Sequence, residues 1–156
     1  RQQFGLFLKS IGLPFNEAML FWKRAFAKIS DDKFTKEYAY NVRHNYGLEG
    51  KRANYGCLNC SKIINGPGLA AGDYHGCPFR HSDHASLGSL LSAHYGLNSE
   101  QVGEVTDLVR GHHYQVACTR TLEMARPTAQ TGGEAMTIPT KFYELSLAAS
   151  LSKTTL

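Results

Sequence analysis

No apolar run in this chain approaches the roughly 20 residues that a membrane-crossing helix needs, so no membrane partner is expected. Residues 1–13 lack a cleavage-like end and read as amphipathic structure rather than a signal peptide. Without a secretory signal, the four cysteines, Cys57, Cys60, Cys77 and Cys118, are not expected to pair as disulfides. They also lack the two close pairs of a zinc ribbon. Only Cys57 and Cys60 form a CxxC, while Cys77 and Cys118 stand alone. On spacing alone, the thiols read equally as inert buried side chains and as metal ligands. The acids are scattered. Asp31–Asp32 has no aspartate partner in a strand context, and Asp73 and Asp83 sit in loop-like sequence. That argues against the paired carboxylates that two-metal catalysis needs. There is no internal repeat.

What is present fits a soluble globular chain. Its 156 residues are 42% hydrophobic and 19% charged, which suits one domain with a core of its own. The net charge of +4 is unevenly spread: residues 1–52 hold ten Lys and Arg against five acids. A positive first third suggests a phosphate-rich partner, although a solvated basic face has the same composition.

Phe4, Phe7, Leu8 and Ile11 recur at helical spacing, and Gly12 with Pro14 ends that segment. Asn16 can cap a second helix with Ala18, Phe21, Trp22, Ala25, Phe26 and Ile29 on its apolar face. Asp31 and Asp32 read as a turn. Residues 38–43 alternate weakly, as a short strand or a helix end. Residues 47–76 are rich in Gly and Asn and read as ordered loop. Ser82 or Asp83 starts a helix carrying Leu87, Leu90 and Leu91 and closed by Gly96. Asn98 starts another, ended by Gly111. A helix over 112–125 stops before Pro127, residues 127–140 read as a mobile loop, and a last helix spans about 142–151. The expected fold is mainly α, with a long irregular region and room for a small β-ribbon. Such long irregular segments are usually functional or tied down by something other than packing.

Four strings carry a family resemblance: FGLFLKSIGLPFNEAMLFW (4–22), KFTKEYAYNVRHNYGLEGKR (33–52), GDYHGCPFRH (72–81) and HYQVACTRTLEM (113–124). Together they resemble the C-terminal domain of the eukaryotic DNA primase large subunit, in the family's order and at its separations. The resemblance implies a helical domain, 1–156, organised around a [4Fe–4S] cluster. Cys60, Cys77 and Cys118 match three of its ligands. The fourth is expected upstream of Arg1, so that the chain reads as N-terminally truncated. Cys57 matches a position that is not a ligand. The resemblance implies a structural role for the cluster, since ligands far apart in sequence cross-link distant segments.

The same resemblance implies an accessory, non-catalytic domain that binds the 5′-triphosphate end of the RNA primer and the template DNA junction, supporting initiation and length control. Arg1 and Lys9 match residues near the triphosphate, where several fixed cations suit a highly charged group. Trp22 borders the primer end. Tyr38, Tyr40, Asn41, Arg43 and His44 form an aromatic and polar cluster suited to unpaired bases. Without the resemblance, Lys9 reads as an exposed helix lysine, Trp22 as core, and the tyrosine cluster as half-buried strand. The implied partners are primer RNA and template DNA and, through the full-length protein, the primase small subunit and DNA polymerase alpha. The implied compartment is the nucleus. Two other readings stand beside it: a flavin-dependent enzyme of photolyase-like architecture, for which no cofactor motif is present, and a zinc-binding structural module.

Overall fold

The computed structural model describes residues 1–152, which form two compact units, Arg1–Leu58 and a second beginning at Asn59. Among the described residues all regular structure is helical; the β-ribbon is not formed, and neither is the strand reading of 38–43.

In the first unit, α1 (Gln2–Ser10), α2 (Phe15–Ala25), α3 (Asp31–Glu37) and α4 (Ala39–Asn45) pack around Leu6, Ala18, Phe34, Ala39 and Val42. Segment 38–43 is helical because Ala39, Val42 and Asn45, spaced by three, all turn inward. Helix α2 starts at Phe15, one residue before the expected cap. Pro14 holds the extended N-cap conformation there with its fixed φ of −65°. The Asp31–Asp32 pair opens a helix rather than a turn. The Ser30 hydroxyl accepts from the Lys33 N–H, and the two aspartates face the positive end of α3. Rings fill much of this unit: Phe26 stacks on Tyr38 at 4.5 Å between centres, and Trp22 stacks on Phe26 at 6.0 Å.

The second unit holds α5 (Cys60–Ile64), α6 (Pro78–His81), α7 (His84–Tyr95), α8 (Ser99–Arg110), α9 (Tyr114–Ala125) and α10 (Pro139–Leu151). Its core is Phe79, Leu87, Leu91, Leu97, Val105, Val109 and Ala117. The Asp83 carboxylate accepts from the Ser86 N–H and starts α7; Gly96, at φ 69°, ends it in the left-handed conformation. Asn98 and Gln101 form a capping box at α8. Gly111 does not take the left-handed conformation; the next residue, His112, does so at φ 61°.

Residues 127–138 are irregular but fastened to α9. The Gln115 amide donates to the Met136 carbonyl, the Met136 N–H returns a bond to Gln115, and Thr119 donates to Glu134. The Thr131 hydroxyl donates to Glu123, and Met136 is buried.

Candidate functional site

A cleft of about 410 Å³ opens in the first unit. Gln2 enters it from α1 and Arg1 from just before it, Trp22 and Phe26 from α2 and its end, Phe34 from α3, Tyr38 from the junction of α3 and α4, and Tyr40, Asn41, Val42, His44 and Asn45 from α4. The structure thus brings together six of the eight residues expected to meet nucleic acid: Arg1, Trp22, Tyr38, Tyr40, Asn41 and His44.

The cleft has aromatic walls and a cationic end. The Arg1 guanidinium lies 4.6 Å from the centre of the Tyr38 ring and 5.7 Å from that of Phe26. That face contact fixes the charge without consuming its hydrogen-bond donors. Tyr40 is 46% exposed, so part of its ring is open to solvent at the cleft. His44 stacks on Tyr55 at 4.8 Å. Gly50, at φ 59°, closes on this wall: a Cβ there would lie 3.3 Å from the His44 ring and 3.7 Å from the Tyr40 hydroxyl.

Two expected residues stand apart from the cleft lining. The Lys9 ammonium donates to the Asn45 carbonyl at 2.9 Å, the Asn54 carboxamide at 2.7 Å and the Tyr55 carbonyl at 2.7 Å. Those bonds use all three of its protons, and burial pulls its pKa below the ordinary lysine range. In this arrangement Lys9 ties α1 to segment 54–55. Arg43 pairs with Glu49 at 2.7 Å and holds the turn that follows α4. Gln2, Phe26, Phe34, Val42 and Asn45 line the cleft without having been singled out in the sequence. Asn45 falls on the inward face of α4, and its i+4 relation to Asn41 was the available signal.

The second unit gathers the other predicted set. Cys60 is the first residue of α5, and its N–H donates to the Thr137 carbonyl at 2.9 Å. Cys77 precedes α6, and Cys118 lies in the middle of α9; both pack on the helical core. Burial pushes the Cys118 thiol far up, and the nearby Cys60 and Cys77 sulfurs push it further in the same direction. Burial raises Cys77 as well, opposed by the main-chain N–H groups of Arg80 and Phe79 and by the Arg80 charge. Three thiols thus share one neighbourhood in which thiolates are costly unless a cation offsets them. Among the described residues, no three His, Cys, Asp or Glu side chains are close enough to hold a single metal ion. A polynuclear iron–sulfur group is wider than one ion, and soft thiolate donors with N–H groups beside a sulfur suit it. Cys57 belongs to the first unit; its thiol donates to the Leu58 carbonyl and its N–H to the Ser10 hydroxyl. His75 accepts from the Cys77 N–H and stacks on His81 at 5.4 Å.

Fold and cleft together define the class: a helical domain whose cationic cleft is lined by aromatic rings and carboxamides. The chain belongs to the family described as the C-terminal domain of the large subunit of eukaryotic and archaeal DNA primase, which it matches over residues 1–143. It is 46% identical over 149 residues to the DNA primase large subunit of Schizosaccharomyces pombe, covering 94% of this chain and 32% of that protein. It is 46% identical over 156 residues to the probable DNA primase large subunit of Arabidopsis thaliana, covering 99% and 33%. With the DNA primase large subunit of Homo sapiens it shares 45% over 145 residues, 92% of this chain and 28% of that protein. The chain therefore spans about a third of the length of these curated relatives. Nothing in these matches points to a flavin enzyme.

Proposed function

We propose that this domain is a nucleic-acid-binding, non-catalytic part of a nuclear DNA primase, gripping the junction between the RNA primer's 5′ end and the template overhang. The observation that carries this reading is the single cleft that collects Arg1, Trp22, Tyr38, Tyr40, Asn41 and His44. Base stacking on Tyr40 and the neighbouring rings suits unpaired template. Arg1, held over Tyr38, suits the charged primer end. Only a junction offers both groups at once. Through the full-length protein, the primase small subunit would supply the catalytic carboxylates, and DNA polymerase alpha would take over the primer.

In the same reading, Cys60, Cys77 and Cys118 hold a [4Fe–4S] cluster with one thiolate from outside this chain. The cluster would supply a covalent cross-link among α5, the loop before α6 and α9. The N–H groups of Phe79 and Arg80 would steady the Cys77 sulfur.

Fluorescence anisotropy at fixed salt tests the binding. A junction with a 5′-triphosphorylated RNA end should bind more tightly than blunt duplex or bare single strand. Tyr40→Ala should weaken it by roughly 1–3 kcal/mol, equally for triphosphate and 5′-hydroxyl ends. Equal affinity for junction and blunt duplex would contradict the proposal.

A further inference from the structure

One residue of the cleft is placed in a way that the binding of phosphates does not explain. Asn45, the last residue of α4, is only 7% exposed yet lines the cleft. Its main-chain carbonyl accepts from Lys9, but among the described residues its carboxamide has no hydrogen-bond partner. No fully buried side-chain N or O among the described residues lacks a partner. The Asn45 amide therefore keeps some exposure, in a residue that lines the cleft. A carboxamide carries two donors and an acceptor, and burying most of its residue without partners is unfavourable. Such a group is held ready for something that enters.

Its surroundings fix it there. Helix α1 passes so closely that a Cβ on Gly5 would lie 2.9 Å from the Asn45 amide nitrogen and 3.7 Å from the Trp22 indole. Only glycine at position 5 leaves the amide its place beside the indole. Lys9 pins the same residue through its carbonyl. Asn41, one turn earlier on α4, and Gln2 on α1 bring two more carboxamides to a cleft walled by Trp22, Phe26 and Tyr38. Rings take the face of a nucleobase, and a fixed amide takes its edge. An anion offers only acceptors, which would leave the amide oxygen idle.

We infer that Asn45 reads the edge of a nucleobase seated in this cleft and makes the domain selective for base identity at that position. With the purine N7 edge presented, adenine is the best fit, because one carboxamide meets its adjacent N6–H donor and N7 acceptor together, whereas guanine offers two acceptors there. This rests on the junction-binding reading and adds to it a base preference that stacking and phosphate contacts alone do not give.

The test uses junctions carrying each of the four bases at each of the three unpaired template positions nearest the duplex. The wild-type protein should favour adenine at one position by about 5- to 150-fold. Asn45→Leu keeps the size and removes both hydrogen-bonding functions. It should flatten that preference while leaving the salt dependence of binding unchanged. Asn45→Asp keeps the shape and removes the donors. It should also flatten the preference, and it decides the matter if the leucine variant does not fold, as judged by thermal unfolding. A wild-type protein that binds the junction equally with all four bases overturns the inference and leaves the junction reading intact, as do variants that keep the preference. A wild-type protein that binds no junction overturns the junction reading itself.

Discussion

At the scale of single residues, Lys9 shows how charge and placement separate. By its sequence position it matches a triphosphate contact, yet its three protons are spent on Asn45, Asn54 and Tyr55. To reach a phosphate it would have to give up all three. Arg1 carries its charge differently: it leans on Tyr38 and Phe26 and keeps its donors for a ligand. Lys9→Ala is therefore expected to lower stability by roughly 1.5–3 kcal/mol, read as a shift in the denaturant midpoint. The ratio of affinities for triphosphate and 5′-hydroxyl ends should barely change in that variant, whereas Arg1→Ala should reduce it. A Lys9 variant of normal stability that has lost the triphosphate preference would return Lys9 to the phosphate. Sequence could name Lys9 as a cation but not its acceptors. Two of these are main-chain carbonyls, 36 and 46 residues away, and no residue type announces a carbonyl.

At the scale of elements, the long helices were legible because caps and periodicity agree. Asp83 and Gly96 bound α7 as expected, and Asn98 opens α8. Short helices were not. Helices α3, α5 and α6 run for seven, five and four residues, too few to show a 3.6-residue period, and each depends on a cap or a proline instead. Residues 38–43 stayed open between strand and helix end for a related reason: they hold only two of the inward positions of α4, Ala39 and Val42, too few to show a period, and the helix reading holds. The six cleft residues were legible through the resemblance, while Gln2 and Asn45 were hidden because lone amides carry no motif. Segment 127–138 has the composition of a mobile loop, yet its ties to Gln115, Thr119 and Glu123 oppose opening. Residues 66–74 are largely exposed, and Tyr74 is 95% exposed. Brief treatment with proteinase K, which cuts with little sequence preference, should cut within 66–74 before any site in 127–138, as read by mass spectrometry of early fragments. First cleavage in 127–138 would show those ties to be too weak to matter.

At the scale of the whole molecule, the two units divide the proposed work. The first carries the cleft and the second carries the three thiols. If Cys60, Cys77 and Cys118 hold a cluster, Cys118→Ser should abolish most of the bound iron and acid-labile sulfide in the full-length protein. Cys57→Ser should leave both unchanged, since Cys57 matches a family position that is not a ligand. A large fall in iron with Cys57→Ser would make that thiol a ligand. The central claim concerns the cleft, and photo-crosslinking tests it most directly. A primer-template junction carrying a photoreactive thymidine analogue at each unpaired template position in turn is irradiated with the protein, and the attached peptides are identified by mass spectrometry. The account predicts adducts on the cleft residues, Trp22, Tyr38, Tyr40 and His44 foremost. Adducts confined to residues 59–152 would contradict it.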